Sequence, residues 1–334
     1  MKTYVVAVVG ATGLVGTEMI QTLERRQFPV KKLVPLASEK SKGRHVQFNG
    51  ESIAVEVLTD DSFVGVDFAL FSAGGAISER FAPSAVRHGA IVIDNTSFFR
   101  MHKDVPLVVP EVNAHALRDH NGIIANPNCS TAQLVVALKA VHEAAKITRI
   151  VISTYQSVSG AGKLAMEGLH AETQNHLATG VSEASALVQP IAFNLIPQID
   201  KFEANGYTKE EMKMIQETKK ILGDESIQIT ATCVRVPVFV SHSESVVIET
   251  EKKVTADEFR AMLGQSKGVV VVDDPQNGLY PMPIHTSATD PVCVGRIRED
   301  LAFPNGLSMW IVADNLRKGA ALNAVQIAEA MIQK

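Results

Sequence analysis

The stretch that decides the fold is YVVAVVGATGLVG, running from Tyr4 to Gly16. Tyr4–Val9 is an uninterrupted apolar run rich in β-branched valine, which reads as a buried strand. Leu14–Arg25 follows as an amphipathic helix, with Val15, Met19, Ile20 and Leu23 on one stripe. Between them, Gly10, Gly13 and Gly16 allow a tight turn and close approach of the backbone to an anion at the helix start. Strand, glycine turn and helix in this order point to a dinucleotide-binding βα unit. The spacing is G-x-x-G-x-x-G, not the commoner G-x-G-x-x-G. The competing reading is a turn that merely packs helix on strand.

The pattern continues outward from this unit. Lys31–Ala37, Phe68–Phe71, Ile91–Asp94 and Leu107–Val109 read as further strands, and Ser78–His88 as a helix. Strands separated by helices build a mostly parallel sheet. Asn49–Asp60 reads as an added hairpin. Asn-Pro-Asn at 126–128 breaks the alternation with turn chemistry. A long helix is expected over Ser130–Ala145. Beyond it, Ile147–Gln156, Gln228–Val240, Ser245–Thr250 and Gly268–Val272 read as longer, alternating strands. These suit a mainly antiparallel sheet with one face solvated or in an interface. Thr208–Leu222 and Asp257–Gln265 read as helices. Asn315–Lys334, rich in alanine and amphipathic, reads as a closing helix that packs back on the first half. The expected domains are 1–128 with 315–334, and 129–314.

Composition bounds the function. A chain of 334 residues exceeds what one core usually supports, hence two domains. Hydrophobic residues at 46% and charged residues at 20% are ordinary globular usage, so disorder is not expected. A net charge of −4 argues against a nucleic-acid binder. No apolar run is long enough for a membrane helix, and MKTYVVAVVG lacks the long apolar region of a signal peptide. Cys129, Cys233 and Cys293 are too few and too scattered for a disulfide framework or a metal site. No metal and a reduced, cytoplasmic setting are therefore expected.

The end of the second strand bears on cofactor choice. In ASEKSKGR, 37–44, Glu39 could hold ribose hydroxyls, but Ser38, Lys40, Ser41, Lys42 and Arg44 surround it. Hydroxyls and cations suit a 2′-phosphate, so NADP is expected. Cys129 opens the long helix in Asn128-Cys129-Ser130-Thr131. A thiol at a helix N-terminus sits at the positive end of the dipole, which favours its nucleophilic thiolate. The ordinary alternative for a lone cysteine is a buried structural side chain, and Cys233 and Cys293 receive that reading. A nicotinamide domain with a reactive cysteine suggests oxidoreduction through a thioester.

Several motifs then match one family in order along the chain: GATGLVG, SAGG at 72–75, DNTSFFR at 94–100, VVPEVN at 108–113 and IANPNCST at 124–131. They continue with TYQSVSGAGK at 154–163, EEMK at 210–213, CVRVPVFVSHSESV at 233–246 and ADNLRKGAA at 313–321. The chain resembles aspartate-β-semialdehyde dehydrogenase of the bacterial type. The resemblance implies a Rossmann-like N-terminal domain and an α+β catalytic and dimerisation domain, on the glyceraldehyde-phosphate-dehydrogenase plan. It implies NADPH-dependent reduction of β-aspartyl phosphate to aspartate semialdehyde, with release of inorganic phosphate, in a cytoplasmic homodimer.

The resemblance also implies roles. Cys129 would be the nucleophile, His242 the acid/base and Gln156 the residue positioning the acyl intermediate. Arg235 would clamp the substrate carboxylate, for which a planar two-donor fork is suited. Arg100, Lys213 and Asn128 would serve the phosphate site and the surroundings of the thiol, and Glu210 the substrate amino group. Gly10, Thr12, Gly13, Leu14 and Val15 would form the pyrophosphate turn. Ser38, Lys40 and Ser41 would lie near the 2′-phosphate, with Ser159, Gly160 and Asn315 near the dinucleotide. Relatives often carry arginine where this chain has Lys40, and glutamine where it has Asn315. Without the family, His242 and Arg235 read as surface residues on a strand, and Glu210 and Lys213 as a solvated helix face. Two alternatives stay open: a related acyl-phosphate reductase, of N-acetylglutamyl-phosphate or glyceraldehyde-phosphate type, and a non-catalytic NADPH-binding protein. NPNCST and the Gln156 segment argue against the former.

Overall fold

The computed structural model describes residues 2–333. Met1 and Lys334, the outermost residues of the expected domains, lie outside them. Two compact units are present: one runs to Asn128 and resumes at Ala320, and the other is Cys129–Gly319.

The first unit holds a six-stranded, all-parallel sheet. Its strands are β1 (Tyr4–Val9), β2 (Val30–Ala37), β5 (Glu56–Val57), β6 (Phe68–Phe71), β7 (Ile91–Asp94) and β8 (Ile123–Ala125), in the order β5-β2-β1-β6-β7-β8. Helices α1 (Leu14–Arg25), α2 (Gly75–Arg87) and the short α3 (Pro110–Asn113) connect it. The hairpin expected over 49–60 forms earlier, from β3 (His45–Phe48) and β4 (Glu51–Ala54), turning at Asn49-Gly50. Leu107–Val109 is not a full strand; Leu107 makes only an isolated bridge to Ala125.

The α1 stripe explains how this unit closes. Met19, Ile20 and Leu23 are buried in one cluster with Val6, Val8, Phe28 and Phe68. Each fully buried side chain of this size contributes roughly 1.5–3 kcal/mol. The closing helix, expected from Asn315, begins at Leu322 and ends at Ile332. It joins the same cluster through Ala324, Val325, Ile327 and Ala328. Arg26 donates to both oxygens of Glu329 at 2.7 Å, pinning its last turn to α1. Residues 315–319 lie with the second unit instead, because a π-helical turn over Arg317–Ala321 delays the regular helix.

The second unit carries α4 (Cys129–Ala145), α5 (Lys163–Thr179), α6 (Lys209–Leu222), α7 (Ala256–Gly264) and α8 (Pro283–Thr286). Its strands are β9 (Ile147–Gln156), β10 (Gln228–Arg235), β11 (His242–Thr250), β12 (Val269–Val271), β13 (Val292–Glu299) and β14 (Gly306–Ala313), ordered β10-β9-β11-β14-β13-β12. The three central pairings are antiparallel, and the edges β9–β10 and β12–β13 are parallel. The strand expected over Gln228–Val240 stops at Arg235, and Pro237 cannot extend a ladder. β11 starts three residues earlier than the Ser245 expected, which brings His242 into the sheet.

Candidate active site

In the first unit, Gly10 has φ +89°, the left-handed region open to glycine. A Cβ on Gly16 would stand 2.1 Å from the Gly10 carbonyl oxygen, so only glycine lets α1 start this close to the turn. No side chain caps α1 and its first turn holds no acid, leaving the positive end of the helix facing outward. This cradle, formed by Gly10, Thr12, Gly13, Leu14 and Val15, fits a pyrophosphate.

Ser41 is buried, and its Oγ lies 3.1 Å from the Thr12 Oγ1, joining the second loop to the turn. Ser38 and Lys40 are exposed on the same loop. Glu39, the acid that could hold ribose hydroxyls, pairs with Lys42 at 3.1 Å. Arg100 is buried in this unit, donating from Nε to the Asn126 carbonyl and from Nη2 to the Asn95 carbonyl. Asn128, also buried, is the last residue of this stretch and directly precedes Cys129.

The second unit gathers the rest. Cys129 is the first residue of α4, half-buried, and α4 packs on β9, β11 and β14. Across the sheet, Arg235 of β10 stands opposite Gln156 of β9. The β9–β11 register pairs Ser243 with Tyr155, so the next step sets His242 beside Gln156. Arg235, Gln156 and His242 thus form one rung on three adjacent strands, on the face that α4 covers. All three are buried, His242 completely. The surface reading of His242 and Arg235 is therefore corrected: both side chains are buried, His242 on a central strand and Arg235 on the edge strand β10, where its guanidinium turns in to the Ser157 carbonyl.

Each member of the rung is held. Arg235 Nη1 donates to the Ser157 carbonyl at 2.7 Å. Burial pulls its guanidinium below the usual arginine range, while the neighbouring Glu210 and Cys129 favour its charge. Gln156 Nε2 donates to Glu210 at 3.3 Å. Glu210 also pairs with Lys213 at 3.2 Å, and Lys213 with Asp200 at 3.0 Å. Burial alone would pull the Lys213 ammonium down, but these two carboxylates outweigh it and raise it. Glu210, buried, and Lys213, half-buried, thus extend the rung and are not a solvated face.

His242 Nδ1 accepts the Ser157 backbone N–H at 3.1 Å. A backbone N–H can only donate, which assigns the ring proton to Nε2. Among the described residues Nε2 has no hydrogen-bond partner. Burial, and then Arg235, hold the imidazole well below the usual histidine range, so it is neutral at physiological pH.

Asn315 ties the loop after β9 to the start of β11. Its Oδ1 accepts from Ser157 Oγ, Ser159 Oγ and the Ser241 N–H, and its Nδ2 donates to Ser159. Ser241 needs this support, since its φ of 78° is strained for a residue with a side chain. Gly160 lies over the rung: a Cβ there would come within 2.9 Å of Arg235 Nη1 and 3.1 Å of His242 Nε2. Gln133, Ser157, Ser241 and Gly319 are neighbours of the site that sequence reading missed. Ser157, Ser241 and Gly319 lay inside the TYQSVSGAGK, CVRVPVFVSHSESV and ADNLRKGAA motifs; Gln133 lay just beyond IANPNCST.

Family models match both units: "Semialdehyde dehydrogenase, NAD binding domain" over residues 5–120, and "Semialdehyde dehydrogenase, dimerisation domain" over residues 138–318. The chain is 53% identical to the aspartate-semialdehyde dehydrogenase of Aquifex aeolicus, over 99% of this chain and 98% of the relative. It is 51% identical to that of Bacillus subtilis, over 98% and 96%. Among solved structures, aspartate semialdehyde dehydrogenase II of Vibrio cholerae, complexed with ASA, matches with a TM-score of 0.97 at 47% identity, covering 100% of this chain and 99% of that one. With a nucleotide cradle in one unit, a cysteine-headed helix over an Arg–Gln–His rung in the other, and relatives of this identity over their full length, the chain belongs to the aspartate-semialdehyde dehydrogenase family.

Proposed function

We propose that this enzyme reduces L-β-aspartyl phosphate to L-aspartate 4-semialdehyde and inorganic phosphate, reversibly, in amino-acid biosynthesis. The observation that carries the reading is the rung of Arg235, Gln156 and His242 on the sheet face covered by the helix that begins at Cys129.

Cys129 attacks the acyl carbon as thiolate, the carbon–oxygen bond to phosphate breaks, and phosphate leaves. The acyl group is then a thioester on Cys129. NADPH supplies the hydride that brings the acyl carbon to the aldehyde level. His242 holds its proton at Nε2 and offers it to the acyl oxygen as negative charge develops there. Collapse of the thiohemiacetal returns the hydroxyl proton to His242, breaks the carbon–sulfur bond and restores the Cys129 thiolate. Arg235 receives the substrate carboxylate on the guanidinium edge not used by Ser157. Glu210 faces the amino group, with Gln156 Nε2 orienting it. Lys213, Arg100 and Asn128 serve the phosphate and the thiol.

The cofactor is NADP(H). Gly10 to Val15 hold the pyrophosphate, while Ser38, Lys40 and Ser41 meet the 2′-phosphate; the pairing of Glu39 with Lys42 supports this choice. Ser159, Gly160 and Asn315 attend the dinucleotide. The chain works as a homodimer through the second domain, by the sheet face opposite the rung, where the Tyr155 and Trp310 rings pack tilted with centroids 5.3 Å apart. No helix among the described residues is long and apolar enough to cross a membrane. A free thiol in catalysis supports a reduced, cytoplasmic location.

The test is the initial rate with aspartate semialdehyde and phosphate, with NADP⁺ against NAD⁺. Turnover should favour NADP⁺, need phosphate and vanish in Cys129→Ala. Undiminished turnover in that variant would refute the covalent route.

A further inference from the structure

One step deeper on the same sheet face lies a second rung. Thr154 of β9 pairs with Cys233 of β10 on one side and with Glu244 of β11 on the other. These positions are two residues from Gln156, Arg235 and His242, so their side chains point the same way. Thr154, Cys233 and Glu244 are completely buried. Over them lies Gln133, buried on α4 one turn after Cys129, whose Nε2 donates to the His242 carbonyl at 3.3 Å.

Among the described residues, both Glu244 carboxyl oxygens, Gln133 Oε1 and Thr154 Oγ1 lack hydrogen-bond partners. Burial raises the Glu244 carboxyl well above the usual carboxylate range, and only Gln133 acts against it. An ionised carboxylate is acceptor-only and could not serve the amide oxygen of Gln133. The protonated acid brings the missing donor. The charged or titratable groups around these two rungs are Arg235 and Cys233 from β10, Cys129 from α4, and Glu210 and Glu211 from α6. Among the described residues, burial and Gln133 are the influences on Glu244.

We propose that Glu244 and Gln133 are a buried positioning pair for His242: Glu244, as the uncharged acid, donates to Gln133, and Gln133 holds the His242 backbone from the helix that begins at Cys129. The pair fixes the spacing between nucleophile and proton donor without adding a charge beside the imidazole. An anion there would favour the imidazolium and weaken the low titration of His242. The inference rests on the role given to His242 above.

The test uses the full-length enzyme and the variants Glu244→Gln, Glu244→Leu and Gln133→Leu. Infrared spectroscopy of the substrate-free enzyme at neutral pH should show a carboxylic-acid carbonyl band that Glu244→Gln removes. Its absence from the wild type overturns the uncharged form, and this readout does not depend on activity. Glu244→Gln keeps a donor and the shape, so kcat should stay within about twofold of wild type. Glu244→Leu fills the volume without the hydrogen bond. It should melt no lower than wild type, yet lose about tenfold or more in kcat with KM for NADP⁺ unchanged. Wild-type kcat in Glu244→Leu, or an equal loss in Glu244→Gln, overturns the proposal. Should Glu244→Leu fail to fold, Gln133→Leu decides by the same criterion. Retained turnover in His242→Asn would instead sink the catalytic assignment and leave the infrared result standing.

Discussion

Gly319 lies so close to Cys129 that a methyl group on it would come within 2.7 Å of the cysteine Cβ and 3.0 Å of its Cα. The π-helical turn over Arg317–Ala321 brings the Gly319 backbone to this point. Gly319→Ala should therefore displace the nucleophile while leaving the Gly10–Gly16 turn intact. A shift of about 1 Å at a reacting atom can cost on the order of a hundredfold in rate. We expect kcat to fall on that scale and the dissociation constant for NADP⁺, measured by fluorescence titration, to stay at the wild-type value.

The three cysteines should separate cleanly in reactivity. Burial pushes the Cys233 and Cys293 thiols up, and Cys233 is raised further by Glu210. Cys129 is half-buried and heads a helix. Iodoacetamide at neutral pH should alkylate Cys129 about a hundredfold faster than either of the others. Peptide mass spectrometry over time measures this, and aspartate semialdehyde should protect Cys129 alone. Equal labelling of Cys233 would contradict the burial argument.

His242 gives a pH dependence with a definite sign. Its folded-state pKa is depressed by burial and Arg235, so the unfolded chain takes up the proton first as pH falls. The resulting stability is present above the unfolded value of about 6.5 and declines as pH drops below it. His242→Asn should melt with a shallower loss of Tm between about pH 7 and pH 5 than wild type does. An unchanged slope would mean that the native imidazole takes up its proton as readily as the unfolded one, contradicting the burial argument.

Glu172 anchors the segment after α5. It accepts from the Ser185 N–H and Oγ and from the Ile191 and Ala192 N–H groups. Burial opposes its charge, but these four donors outweigh burial and depress its pKa. Its stabilisation is complete above the ordinary glutamate value near 4.3 and is lost as pH falls through the lower folded value. Glu172→Gln should cost about 2 kcal/mol at pH 7, from urea unfolding, and the difference should shrink in acid.

How much of this could be read in advance depends on sequence distance. The Gly10–Gly16 turn and the Cys129 helix start are local, and their residues announce them. The rung is not local. Ser157, beside Gln156, is 78 residues from Arg235 and 85 from the histidine it contacts. Periodicity can say that Gln156 and His242 face a core, but not that their strands are neighbours. Only the family motifs joined them. β13 escaped notice because Arg296 takes a φ of 53° and the register shifts between Gly295 and Arg298, breaking the alternation. β14 carries a clear local signal, Asn305-Gly306 followed by an apolar run. Glu244 had one too: an acid in phase with apolar partners on a strand marks a buried group that calls for an explanation.

The two stacked rungs make the enzyme address its chemistry by count. Moving β11 by one position along β9 would send His242 to the far side of the sheet, and moving it by two would present Glu244 where the imidazole belongs. Insertions in the long segment that joins β9 to β10 leave that count untouched. A single residue gained or lost inside any of the three strands does not. Length variation among working versions of this enzyme should accordingly gather in segments such as 180–207, and be missing from 147–156, 228–235 and 242–250.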